Sequence, residues 1–244
     1  MGTRQFVEKY PRLLFIDTET TGLDCKENEI IEFAYVIYQM NPETKKYEEV
    51  TYADIFIKTD KEIPEKITQI TGIDKELLDE KGIDRIEFGW WLYHFLTTEI
   101  DSLLGAYNTQ FDALFTQEEV RKCPKITHLE EPYKLVNNMI DVLTIYRDRY
   151  SFPHKLKNAI DKLQVEGENT HRAIDDIRAT YNVFAQLMRN RFNPMLYVNR
   201  FGYLKKWGIH GEKFPHIVYI GQGFNGTKDI ERYMDKYQKE LGEF

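Results

Sequence analysis

Residues 13–16, Leu-Leu-Phe-Ile, are apolar at every position, and acids follow at the next alternate positions, Asp17 and Glu19. A run apolar on both faces suits a central strand covered on both sides; a surface strand alternates. Thr20-Thr21-Gly22 then interrupts it. Side chains two apart in a strand share a face, so both carboxylates are expected to leave the end of a buried strand together. Anions held that close beside an apolar core raise each other's pKa. Mg²⁺ or Mn²⁺, which favour carboxylate oxygens, are the economical counter-charge. Two solvated acids at a strand end are the plain alternative, and for an isolated D-x-E it is the stronger one.

The pattern downstream sets the fold class. Residues 30–38 and 52–57 read as further strands, separated by the turn signal Asn41-Pro42-Glu43, and short connections make the three an antiparallel meander. Helices are expected over 64–70 (stopping at Gly72), 85–99, 111–121, 141–150, 155–163 and 173–191, with a short strand over 103–107. In the second of these, Ile86, Trp90, Tyr93 and Thr97 recur at helical spacing. Strands followed by helices and interleaved short strands predict an α/β domain with a mixed sheet. With 42% hydrophobic and 14% aromatic residues, the chain can build such a core.

Further acids give the first pair company. Asp112 opens a helix after the short strand, and Asn108 lies four residues before it; helix-end charge and turn capping are their ordinary roles. The third stretch is His171-Arg172-Ala173-Ile174-Asp175-Asp176. Ile177, Tyr181, Phe184 and Met188 form one apolar stripe. At ~100° per residue, Asp175 points away from it, whereas Asp176 lies on its flank and is the better inward acid. Beside such acids His171 becomes a candidate base, its ordinary pKa being ~6.5.

Together these segments resemble the DEDDh group of 3′→5′ exonucleases, the family of the proofreading subunits of bacterial DNA polymerases. Phe15-Ile16-Asp17-Thr18-Glu19-Thr20-Thr21-Gly22 is similar to its F-x-D-x-E-T-T-G pattern, Asn108-Thr109-Gln110-Phe111-Asp112 to N-x-x-F-D, and 171–176 to H-x-A-x-x-D. Ile70-Thr71-Gly72-Ile73 resembles the loop that holds the terminal nucleotide, and Asp141-Val142-Leu143 the strand-to-helix step between the second and third motifs. Tyr107 stands where the family often has His. The resemblance implies a ribonuclease H-like fold, a five-stranded mixed sheet flanked by helices. It also implies two-metal hydrolysis that releases nucleoside 5′-monophosphates from single-stranded 3′ ends, DNA favoured over RNA. Asp17, Glu19, Asp112 and Asp176 would bind two Mg²⁺ or Mn²⁺ ions about 4 Å apart, with His171 as general base. Thr20, Leu23, Ile70, Thr71, Asn108 and Phe111 would hold the terminal nucleotide. Core packing is an equal reading for Leu23 and Ile70. A non-catalytic binding module and an RNA-trimming enzyme are the competing functions; the complete acid-and-histidine set disfavours the first.

The resemblance ends near Gln186, which makes 1–193 the expected exonuclease domain and 194–244 a C-terminal extension. Between 194 and 228 the extension carries five basic residues against one acid, in a chain of net charge −7. Phe201, Tyr203, Trp207, Phe214, Tyr219 and Phe224 interleave with them. Such a segment can grip a single strand or simply pack on the main domain, and packing is the preferred expectation. Net negative charge excludes nucleic-acid binding by bulk charge alone. Cys25 and Cys123 form no CxxC pair, so free thiols in a reducing cytoplasm are expected, with no membrane span or signal peptide. A protein partner such as a polymerase is compatible with the sequence, which leaves the oligomeric state open.

Overall fold

The computed structural model describes residues 2–126, 129–168, 170–189 and 193–241. Its centre is β1 (Arg12–Thr20), whose Leu13, Leu14, Phe15 and Ile16 are all fully buried. β2 (Ile30–Met40) runs antiparallel to it, and β3 (Tyr47–Phe56) antiparallel to β2. On the other side, β4 (Leu103–Ala106) and β5 (Met139–Asp141) add in parallel, giving the order β3-β2-β1-β4-β5. This is the ribonuclease H-like sheet that the motifs imply. The parallel strands β1, β4 and β5 all end at one edge, where the acid-bearing segments emerge.

Both faces are covered, as the unbroken apolar run requires. Leu13, Phe15, Ala34, Val36 and Tyr38 pack against α6 (Val142–Arg149), α7 (Leu156–Leu163) and α8 (Ala173–Arg189). Leu14, Ile16, Phe33 and Ile37 pack on the other face against α4 (Arg85–Thr98) and α5 (Thr109–Lys122). Each large side chain buried this way contributes ~1.5–3 kcal/mol.

The differences from expectation have physical reasons. On α4 the buried face is Phe88, Leu92 and Leu96, while Ile86 is exposed. Trp91 and Phe95 stack over Tyr35 beside that face, so apolar residues ring the helix and period alone cannot select its inner side. β3 begins at Tyr47, earlier than residue 52, because this edge strand is mostly exposed and reads as polar. β5 has only three residues, too few to show a period. Two short helices were unmarked. α1 (Gly2–Lys9) buries Phe6 against Tyr10 and Phe184. α3 (Lys75–Lys81) starts at Asp74, whose carboxylate accepts from the Leu77 amide. α2 (Glu65–Thr71) stops as expected at Gly72, whose φ of 73° favours glycine. The expected end of the last long helix, Arg191, lies outside the described residues.

After a 3-10 turn (Pro194–Leu196), β6 (Arg200–Leu204) and β7 (Val218–Gln222) form a parallel pair, and α9 (Asp229–Leu241) closes the described chain. Tyr197 is fully buried and its hydroxyl donates to Asp148 at 2.9 Å. Phe201, Phe214 and Ile217 join the core on the α5 side; Val198, Ile220 and Ile230 join the other. Both cysteines are free and buried. Among the described residues no helix is long and apolar enough to cross a membrane.

Candidate active site

Alternation along β1 puts Asp17 and Glu19 on the face of Leu13 and Phe15, the one covered by α8. There α8 buries Asp176 and leaves Asp175 exposed, as its stripe predicts. Thr18 points to the opposite face and its hydroxyl donates to Asp112 Oδ1 at 2.9 Å. Asp112 stands, buried, in the first turn of α5. Acids from three distant stretches therefore meet at one sheet edge. The β1–β2 register shifts between Glu19 and Thr20, an irregularity that re-aims the chain as it leaves the sheet.

The electrostatics record this meeting. Burial pushes the Asp17 carboxyl well above its ordinary value, and repulsion from Asp112, Glu19, Asp176 and Glu32 adds to it. Glu19 is pushed up to about 8, first by burial, then by Glu32, Asp176 and Asp112, with Arg172 opposing. Asp112 rises to about 7 through burial, against the hydrogen bond from Thr18.

Glu32 and Arg172 were missed as site residues. Glu32 lies directly opposite Glu19 in the β1–β2 ladder and is fully buried. Like charges facing across a ladder destabilise it. Arg172 Nε and Nη2 donate to Glu32 Oε1 at 3.0 and 2.8 Å, and the Ala173 amide donates to Oε2 at 3.4 Å. Burial still raises Glu32 to about 7. The signal was present in the sequence: an acid inside a strand otherwise apolar on both faces.

His171 lies between two tethered neighbours. Arg172 is fixed to Glu32, and the Thr170 amide donates to Asp176 Oδ1 at 3.1 Å. His171 itself is exposed and holds a left-handed backbone, φ 57°.

Asn108 also has a left-handed backbone, φ 79°. Its amide and that of Thr109 donate to Asp141 Oδ1 at 2.9 and 3.1 Å. The other oxygen of Asp141 caps α6 by accepting from the amide and hydroxyl of Thr144. Asp141 is thus a positioning group for the Asn108 turn; the sequence marked the step but not this task. Leu23 and Ile70 are 74% and 42% exposed, so core packing does not account for them. Phe111 is partly buried against Phe115. The Thr20 hydroxyl donates to the Gly22 carbonyl at 2.6 Å. The Thr71 hydroxyl donates to the Ile67 carbonyl and accepts from the Ile73 amide, stiffening the turn below Ile70.

Among the described residues, no three His, Cys, Asp or Glu side chains stand in position to enclose a single ion. Asp112 and Asp176 instead accept the hydrogen bonds above. The donor chemistry nevertheless fits hard divalent cations: it consists of carboxylate oxygens brought close enough to raise one another's pKa.

A family model described as exonuclease, of RNase T type, matches residues 14–184. The chain is 32% identical to the PolC-type DNA polymerase III of Thermotoga maritima over 175 residues, which is 71% of this chain and 12% of that protein. For the PolC-type enzyme of Mycoplasma genitalium the identity is 33%, over 70% and 11%. The chain thus spans about an eighth of the length of these curated relatives. Escherichia coli exonuclease I in complex with a dT13 oligonucleotide superimposes with a TM-score of 0.59 at 22% identity, covering 74% of this chain and 41% of that one. A zinc-bound form of the same protein with single-stranded DNA matches equally well.

Proposed function

We propose, for a chain that belongs to the RNase T-type exonuclease family, metal-dependent 3′→5′ exonuclease activity on single-stranded nucleic acid, DNA preferred over RNA, releasing nucleoside 5′-monophosphates. The observation that carries this reading is the mutual repulsion of Asp17, Glu19, Asp112 and Asp176, brought to one sheet edge from three stretches of chain. These four would hold two Mg²⁺ or Mn²⁺ ions. Ions held there would supply Lewis acidity to lower the pKa of water and to offset charge on the departing 3′-oxygen. His171, whose side chain is exposed, accepts the proton of the attacking water on an imidazole nitrogen.

Leu23, Ile70 and Phe111 offer apolar surface to the terminal base, which accepts any base. Thr20, Thr71 and Asn108 frame the sugar-phosphate, with Asp141 fixing the Asn108 backbone. In this reading residues 1–193 form the exonuclease domain and 194–244 an extension. The match to polymerases over a small part of their length supports a protein partner of polymerase type.

The test is digestion of a 5′-labelled 20-nucleotide single strand in Mg²⁺. Shortening from the 3′ end with release of 5′-mononucleotides, abolished by EDTA and by Asp17→Asn, is expected. No shortening in either Mg²⁺ or Mn²⁺ refutes the reading.

A further inference from the structure

The extension does more than pack against the core. It docks beside the second motif: Gln110 Nε2 donates to the backbone carbonyls of His210 and Glu212, and the Tyr219 hydroxyl donates to Gln110 Oε1 at 2.8 Å. Arg121 of α5 pairs with Glu212 at 2.7 Å. Between the docked parts lies a cavity of about 200 Å³, lined by Asn108, Arg147, Tyr203, Trp207 and His210 among others. It shares Asn108 with the candidate active site, and much of its wall lies beyond the family-matched residues 14–184.

Its chemistry is specific. Arg147 gives one hydrogen bond, to the Gly202 carbonyl at 3.3 Å, while its buried Nε has no partner. Trp207 is 67% exposed, the largest exposure of any aromatic ring in the extension among the described residues. Phe224 holds that ring edge-on at 5.8 Å, and Lys206 Nζ lies 5.7 Å from its centre. A guanidinium with spare donors beside an exposed indole flanked by lysine is what a nucleotide needs: charge for the phosphate and a flat face for the base. The other aromatics behave differently. Phe201 and Phe214 are buried in the core, so the expected packing role holds for them and not for Trp207.

We propose that this cavity is a second nucleotide subsite, which holds a base and phosphate of the single strand upstream of the terminal nucleotide, with Trp207 stacking on the base and Arg147 on the phosphate. It rests on the exonuclease reading for the direction of the strand. Its physical consequence is a gain of affinity with strand length that depends on these two side chains.

The experiment compares the dissociation constants of thymidine 5′-monophosphate and of dT8 by calorimetry in Ca²⁺, for the unaltered chain, Trp207→Ala and Arg147→Met. The first variant alters an exposed ring, and the second keeps the apolar stem of a partly buried one. Each is expected to cut the gain in affinity from monophosphate to dT8 by about tenfold. An unchanged gain in both variants overturns the subsite. Cleavage is assayed on separate aliquots in Mg²⁺. A chain that shows the Trp207-dependent gain and cleaves nothing refutes the catalytic reading while the subsite stands.

Discussion

Glu19 and Glu32 face each other across the central ladder, with pKa values pushed to about 8 and about 7, chiefly by burial. In the unfolded chain both return to about 4.5, so between these limits the folded state binds protons that the unfolded state releases. Their contribution to stability is therefore complete below about pH 4.5 and is lost as the pH rises through about 7–8. Thermal melts in EDTA should show a falling Tm from pH 5 to pH 8, and Mg²⁺ at pH 8 should restore part of the loss. A flat or rising profile would refute the raised pKa values of this pair. Asp17→Asn removes one of the repelling charges, so in EDTA at pH 8 it should melt higher than the unaltered chain, by about 2–4 °C for each kcal/mol relieved. His171 is exposed, so His171→Ala should leave Tm unchanged while kcat falls by ~10²–10⁴-fold. A loss below tenfold assigns proton transfer elsewhere.

At the scale of elements, Arg172 fastens the start of α8 to β2 through fully buried Glu32, while its guanidinium also lies 5.2 Å from the Phe56 ring of β3. Arg172→Met leaves that carboxylate buried without its partner. The expected cost is ~2–4 kcal/mol, below the range for fully buried pairs because Arg172 is partly exposed. Adding Glu32→Gln should recover most of it, and a double-mutant cycle by chemical denaturation measures the coupling. Additive effects would show that the pair does not join the two elements. Strong local periods made much of this region legible. The apolar run of β1 marked the sheet centre, and the stripe on α8 separated Asp176 from Asp175. What stayed hidden depends on pairing between distant strands. Glu32 stands out in the sequence as an acid within an apolar strand, but its partner Glu19 shows only in the ladder, and Asp141 gains its task only beneath Asn108. The inner face of α4 was likewise settled by what Tyr35 and Phe33 present to it.

For the whole molecule, the extension supplies Tyr197, Val198, Phe201, Phe214, Ile217, Ile220 and Ile230 to the two cores. At ~1.5–3 kcal/mol for each large side chain, their combined loss is as large as the ~5–15 kcal/mol by which a folded chain is ordinarily stable. A chain ending at residue 193 should therefore lack a cooperative thermal transition and near-ultraviolet dichroism. A sharp melt for that fragment would show the extension to be dispensable for folding. Thr144 carries this dependence further. Its hydroxyl, which donates to Asp141, also accepts from the Gly202 amide of β6 at 2.7 Å, and Asp141 in turn fixes the Asn108 turn. A Cβ at position 202 would strike the Gln222 side chain, so a larger residue there must push Gln222 from its hydrogen bonds to the Thr144 carbonyl and Asp148. Lineages that exchange the appendage must find a new donor for one threonine oxygen, or accept a looser turn at Asn108. Lengthening the hairpin at 41–46, by contrast, disturbs nothing in that relay.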